Sequence, residues 1–288
     1  MKNERLKRII TGIIIVIVTF PILFFTDTLV ITFYMMFVAV VGVFELLRCF
    51  KLNKWYILIP AEGIAVASHV ISRLRLFGLK DIETEKLLYI YIFMAVLFVF
   101  YLFSLSVFMP DKYNIETNGF AGLMCVYVIA GSISPVLLCE IPNGMFAFPL
   151  IFISAWMTDV FAYGFGRKIG KHKLCPTISP KKSIEGAICG IAGNIIGFII
   201  YAVVIMIAFK RQVSASYPAL IITAVLLSVI SQIGDLIMSL VKRRFGVKDF
   251  GKILPGHGGV LDRFDSITAV SIFIFMFYSI LKAARIFI

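Results

Sequence analysis

An all-α, polytopic transmembrane bundle of about nine helices is what the sequence predicts, and three observations predict it. Of its 288 residues, 60% are hydrophobic and only 15% are charged, whereas roughly a quarter of the residues in soluble domains are charged. The apolar residues gather into runs of about 17 to 25, long enough to cross roughly 30 Å of hydrocarbon as a helix. Lys and Arg collect in the segments between these runs, which is how cytoplasmic loops are marked.

The basic start MKNERLKR precedes the first apolar stretch, 9–25. It resembles a signal peptide, but it lacks a small-residue cleavage site and runs almost directly into the next apolar stretch, so it is expected to stay as a first transmembrane helix. Further helices are expected over 28–47, 55–72, 87–109, 119–139, 145–165, 186–208, 217–241 and 264–285. Pro60, Glu62, Ser68 and His69 interrupt the segment 55–72, which suits a tilted, partly buried or re-entrant helix as well as a simple span.

With the N-terminus in the cytoplasm, the basic loops Arg48 to Lys54, Arg167 to Lys182 and Lys242 to Arg263 all fall on that side. The chain then divides into N-terminal transmembrane helices, 1–140, and a C-terminal region, 141–288, whose cytoplasmic loops 166–185 and 242–263 have room for water-soluble chemistry. The net charge of +12 is explained by topology and anionic lipid headgroups rather than by nucleic acid, for which no binding module is visible. Cys49, Cys125, Cys139, Cys175 and Cys189 are scattered singly, without the paired spacing of a zinc site or a disulfide framework.

Polar groups break the apolar pattern in the last three segments. Within 217–241 and just beyond it, Ser228, Gln232, Asp235, Ser239 and Lys242 form a stripe along one helix face. An ionised Asp at the centre of a bilayer costs on the order of 3 kcal/mol, so a partner or a wet cavity is expected beside Asp235. An interhelical hydrogen-bond seam is the alternative. Asp262 and Asp265 lie three apart at the start of the last helix, on adjacent positions of one face. Acids favour a helix N-terminus in any protein, yet with Asp235 they make a three-carboxylate set able to offer hard oxygen ligands to a divalent cation, most naturally Mg²⁺ when phosphates complete the shell.

The loop before that helix contains PGHGG, Pro255 to Gly259. Its glycines allow consecutive backbone amides to form an anion nest at a helix N-terminus. Lys242, Arg243, Lys248, Lys252 and Arg263 surround it in sequence, which points to a polyphosphate. His257 can serve as an acid or base, touch phosphate, or simply hydrogen-bond the loop. GVKDFGKI, Gly246 to Ile253, imitates a P-loop, but Ile253 stands where the Mg²⁺-binding Ser or Thr belongs and no strand precedes it, so a P-loop NTPase is excluded. The other basic loop, GRKIGKHKLCPTISPKKSIEG, carries six Lys or Arg before Glu185. Its ISPKKS is expected to form a turn presenting Lys181 and Lys182, with Ser183 beginning the next helix. Asp159 adds a further intramembrane carboxylate.

The segment SLVKRRFGVKDFGKILPGHGGVLDRFD resembles the signature of the phosphatidate cytidylyltransferases, or CDP-diacylglycerol synthases. Ser239, Lys242, Arg243, Lys248, Asp249, Pro255 to Gly259, Asp262, Arg263 and Asp265 fall on its fixed positions. TDVFAYGFGRKIGKHKLCPTISPKKSIEG and SQIGDLIMS resemble the family's upstream elements, so the likeness runs from about Ser154 to Ser266. Val160 departs from it, standing where the family has a small residue after the aspartate.

The resemblance implies a membrane enzyme that converts CTP and phosphatidate to CDP-diacylglycerol and pyrophosphate with Mg²⁺, as a homodimer among membrane lipids. It also implies metal binding by Asp235 and Asp262, with Asp265 and Ser239 as nearby or additional ligands. Lys242, Arg243, Lys248, Arg263 and the amides of Gly256, His257, Gly258 and Gly259 are expected to hold CTP phosphates, and Lys181 and Lys182 the lipid phosphate or the nucleotide. The expected location is the bacterial inner membrane, with the active site facing the cytoplasm. A CTP-dependent lipid kinase of the dolichol kinase type is the rival enzyme. An ion-coupled transporter using Asp235 and Asp159 is the rival from another class, but the chain lacks the repeated halves that transporters often show.

Overall fold

A computed structural model describes residues 19, 21, 29–73, 84–209 and 216–280. Its elements are α1 (Leu29–Cys49), α2 (Trp55–Ser72), α3 (Thr84–Phe108), α4 (Ile115–Cys139), α5 (Gly144–Ile169), β1 (Lys173–Cys175), β2 (Ser179–Ser183), α6 (Ile184–Ala208), α7 (Tyr217–Arg244) and α8 (Leu261–Ile280). Seven of these helices, α1 to α7, are long and apolar enough to cross a membrane, α3 from Lys86 onward. The expected segment 9–25 lies outside the described residues apart from Thr19 and Pro21. The last expected helix is present as α8, whose first turns carry Asp262, Arg263 and Asp265; its expected end, 281–285, is outside the described residues.

The burial pattern is that of a protein in lipid. Large side chains such as Phe93, Phe100, Phe108, Ile188 and Ile200 are exposed, while Ser154, Thr158, Asn194 and Ser228 are completely buried. Hydrocarbon solvates the former and cannot satisfy the latter, so polar groups turn inward and pair between helices. The chain is an integral membrane protein.

Two compact units divide it. One takes the residues up to Val136 together with Val247–Arg263, and the other takes Leu137–Gly246 together with the residues from Phe264 onward. The loop 247–263 therefore groups with the N-terminal helices.

In the first unit, α2 is a continuous helix despite Pro60. Proline has no N–H for the carbonyl four residues earlier, and that carbonyl, of Tyr56, instead accepts the Tyr101 hydroxyl from α3 at 2.5 Å. Ser68 and His69 turn their polar atoms back onto Ile64 and Ala65 carbonyls, at 2.6 and 2.8 Å. The Tyr56 carbonyl freed by Pro60, the Ser68 hydroxyl and His69 Nδ1 are thus satisfied within the protein. Asn118 of α4 likewise donates to the Leu102 carbonyl and the Ser106 hydroxyl of α3, both at 2.9 Å.

In the second unit, α6 lays Gly186, Gly190, Gly193 and Gly197 along one side of α5. A Cβ at Gly186 would stand 2.6 Å from the Ala162 carbonyl oxygen and 2.9 Å from Gly166 Cα, and one at Gly190 would stand 3.0 Å from the Thr158 carbonyl oxygen. Small residues let the two backbones meet, the usual means of helix association where no hydrophobic force separates protein from lipid. Asn194 then donates across the seam to the Ser154 hydroxyl at 3.1 Å and to the Ala224 carbonyl of α7 at 2.7 Å.

One departure from the all-α expectation is the antiparallel hairpin β1–β2, with Lys173 opposite Ser183 and Cys175 opposite Ser179. The segment ISPKKS, read from sequence as a turn, is largely its second strand. Strand character there depends on pairing with 173–175, which local turn chemistry does not reveal.

Because the α5–α6 contact leaves no room at Gly186, Gly186→Ala is expected to destabilise the protein by about 1–3 kcal/mol. The loss should appear as a lower unfolding temperature of the detergent-solubilised protein, while Gly164→Ala, where a Cβ meets nothing within 4 Å, leaves it unchanged.

Candidate active site

The hairpin sorts the two lysines of SPKKS. Successive strand residues face opposite ways, so Lys181 is exposed while Lys182 turns inward and makes an ion pair with Asp235 of α7. The hairpin is held in place where β2 runs into α6. Ser183 caps α6, as the sequence suggested, by accepting the Gly186 N–H at 3.2 Å, and Ile184 N–H donates to the His172 carbonyl at 3.0 Å. Glu185 accepts the backbone N–H of Lys171 at 3.0 Å and the His172 ring nitrogen Nδ1 at 2.6 Å.

Along α7 the polar stripe divides into two functions. Ser228 accepts a hydrogen bond from the Thr158 hydroxyl at 2.9 Å, and Gln232 donates to the Ala187 carbonyl at 3.3 Å. These two residues form the interhelical seam. Further along, the stripe becomes ionic. Asp235 pairs with Lys182 and lies within side-chain hydrogen-bonding reach of Asp265 on α8, while Lys242 Nζ stands 3.9 Å from Asp265 Oδ2. Ser239, half-buried, lies one turn beyond Asp235 on the same face.

The result is a chain, Lys182–Asp235–Asp265–Lys242, in which two cations flank two adjacent carboxylates, in the second unit. Two carboxylates so close repel unless a proton or a cation lies between them. Among the described residues, no group of three or more His, Cys, Asp or Glu side chains gathers as a metal cage; within the second unit Asp235 and Asp265 are the carboxylates that lie together. Two carboxylates fit a hard divalent ion that takes its remaining oxygens from phosphate and water, the common arrangement for Mg²⁺. Asp159 is exposed on α5, and Arg243 is exposed at the end of α7.

The loop 247–263, in the first unit, is built differently from the open nest expected of it. Pro255 and Gly256 occupy the centre of a tight turn: His257 N–H donates to the Leu254 carbonyl at 2.9 Å, and Gly256 has the positive φ, 77°, that the third position of a type II turn requires. Leu254 N–H donates to the Gly258 carbonyl at 2.9 Å. Asp262 Oδ2 then accepts the N–H groups of both Phe250 and Gly259, each at 2.9 Å. The amides of His257 and Gly259 are therefore committed within the protein. A carboxylate of the loop's own helix reaches back to one of them and the turn holds the other. Any metal role of Asp262 falls to its second oxygen, Oδ1. Lys248, Lys252 and Arg263 are exposed around this loop, and His257 is half-buried.

Sequence reasoning overlooked Glu45. It lies in α1, only 1% exposed, and its carboxylate accepts Val260 N–H at 3.1 Å on Oε1 and Leu261 N–H at 2.9 Å on Oε2. A lone acid within the apolar run VGVFELL was the available signal.

Comparison with known proteins agrees with the geometry. A model of the cytidylyltransferase family matches residues 6–281. The chain is 34% identical over 265 residues to a phosphatidate cytidylyltransferase of Staphylococcus haemolyticus, covering 91% of this chain and 95% of that protein. It is 31% identical over 285 residues to a phosphatidate cytidylyltransferase of Bacillus subtilis, covering 93% and 96%. With the protein of that name from Staphylococcus epidermidis, identity reaches 47% over 119 residues, 41% of this chain and 44% of that one.

Removing one charge of the Lys182–Asp235 pair leaves the other in a largely apolar setting. The side chains are about a quarter exposed, 25% and 23%, so Lys182→Met is expected to lower stability by about 2 kcal/mol, between the values for exposed and fully buried pairs. In a double-mutant cycle with Asp235→Asn, measured by thermal unfolding, the two losses should fail to add.

Proposed function

Because the chain belongs to the cytidylyltransferase family, we propose that it transfers the cytidylyl group of CTP to phosphatidate, giving CDP-diacylglycerol and pyrophosphate for phospholipid biosynthesis. The observation that carries this reading is the set Lys182, Asp235, Asp265 and Lys242, two carboxylates flanked by two cations, borne on a hairpin and on helices whose outer faces are apolar. It combines metal-binding carboxylates and phosphate-binding cations with direct access to a lipid substrate.

A phosphate oxygen of phosphatidate attacks the α-phosphorus of CTP, the bond from that phosphorus to its bridging oxygen breaks, and pyrophosphate departs with the electron pair. With a second pKa near ~6, a phosphate monoester is mostly dianionic at neutral pH, so no strong general base is needed. The harder task is to bring one polyanion to another. Lys182 and Lys242 neutralise charge at the carboxylate pair, and the exposed Lys181, Arg243, Lys248, Lys252 and Arg263 are suited to the phosphates of nucleotide and lipid. Mg²⁺ held by Asp235 and Asp265, when bound, would polarise phosphoryl oxygens and offset the charge gathering on pyrophosphate. Asp262 through Oδ1, Ser239, and the remaining amides of Gly256 and Gly258 are further proposed contacts. His257 fits a loop-holding role.

The positive-inside pattern supports nine spans with a cytoplasmic N-terminus, and hence a site open to cytoplasmic CTP. The bacterial relatives support the inner membrane, and the family resemblance supports a homodimer. The acyl chains of phosphatidate stay in the bilayer throughout, which accounts for an enzyme of this chemistry being embedded there.

Purified protein incubated with Mg²⁺, phosphatidate and CTP labelled in its cytosine ring should yield a lipid-soluble cytidine product with one pyrophosphate per turnover. Release of CDP without cytidine in the lipid phase would instead identify a kinase. In the same assay Asp265→Asn is expected to lower kcat at least about 100-fold, the scale of losing a main electrostatic stabiliser of the transition state.

A further inference from the structure

A carboxylate buried in an apolar helix requires donors, and Glu45 takes its donors from a segment more than 200 residues away. Its two oxygens receive the N–H groups of Val260 and Leu261, the residues at which the loop 247–260 turns into α8. The first N–H groups of any helix lack partners within it, and a local Ser, Thr, Asp or Asn normally supplies one. Here Val260 precedes the helix and has no side-chain acceptor. The cap comes from α1 instead.

The loop also closes around the Glu45 side chain. A Cβ at either Gly251 or Gly259 would collide with its carboxylate. At the same time Asp262, in the first turn of α8, holds Phe250 and Gly259 by their N–H groups. Two carboxylates thus claim four amides of one short stretch, at 250 and at 259–261. The stretch between, which carries Lys252 and the PGHGG turn, is closed at both ends. Arg263 follows directly.

We propose that Glu45 is a positioning residue for cytidylyl transfer: by capping α8 from α1 it sets where the loop 250–261 presents its exposed bases and where Asp262 and Arg263 stand. This rests on the reaction proposed above. Glu45 makes no contact with substrate in this account. Its effect travels through Val260 and Leu261, and shifts of about 1 Å in such supports are enough to change turnover strongly. The membrane setting strengthens the tether, because a buried carboxylate has no water to turn to when its donors are removed.

The test uses the full-length protein in lipid nanodiscs, with Glu45→Gln as the first variant. Glutamine keeps an oxygen for one amide but sets an NH₂ against the other. Three readouts are taken together: unfolding temperature, backbone hydrogen exchange, and kcat and KM for CTP and for phosphatidate. The expected result is a folded protein in which exchange quickens at 250–261 but not in α6. The value of kcat/KM for CTP should fall at least about tenfold, while KM for phosphatidate changes less than about twofold. Gly251→Ala, which crowds the same carboxylate without removing its charge, should reproduce this pattern, and it decides the matter if Glu45→Gln fails to fold. Wild-type kinetics in a folded Glu45→Gln protein, or in a folded Gly251→Ala protein, would overturn the proposal, as would a loss of activity without any change of exchange in the loop. If the unaltered protein makes no lipid-linked cytidine, the reaction assigned above fails instead, and exchange at 250–261 still decides whether Glu45 holds the loop.

Discussion

Charge inside hydrocarbon must be neutralised where it stands, and the polar architecture of this protein follows from that requirement. Asp235 lies in a helix apolar enough to cross a membrane, and it is matched by Lys182 from a hairpin that exists only because β1 and β2 pair. The hairpin in turn depends on the capping of α6 by Ser183 and on Glu185 holding Lys171 and His172. α6 reaches α5 only because glycines remove the side chains that would separate them. Each layer exists to bring a cation to an acid that lipid would otherwise reject.

The same rule governs the first unit with the opposite chemistry. Glu45 and Asp262 meet backbone amides rather than lysines. Ion pairs at Asp235 and Asp265 join side chains that, in the proposed reaction, phosphates and a metal would rearrange. Hydrogen bonds to backbone N–H groups fix the loop at Phe250 and from Gly259 to Leu261. A mobile substrate needs both, a set of charges that can change partners and a frame that does not.

Much of the polar pattern was legible in the sequence. Asp235, Lys242 and Asp265 were visible because ionisable residues stand out in apolar runs and fall at helical spacing. Ser183 was visible as a cap because capping is local. Less legible was how the loop Pro255 to Gly259 is held. Glycines at a helix start beside lysines suit a phosphate nest, but which acceptor claims each amide is decided by side chains that fold back from elsewhere. Segment 55–72 looked doubtful because of Pro60, and only Tyr101 on another helix explains how the freed Tyr56 carbonyl is satisfied.

By itself the amino-acid sequence determined what depends on neighbours along the chain: which stretches are helices, that they belong in a membrane, and which acids and bases interrupt the apolar pattern. Tertiary structure alone decided that Lys182 rather than Lys181 meets Asp235, that 247–263 belongs with the N-terminal helices, and that Glu45 caps α8. Periodicity and hydropathy are written in residues a few places apart, whereas these contacts join residues up to 216 positions apart. They arise only when packed backbones fix where each side chain can reach.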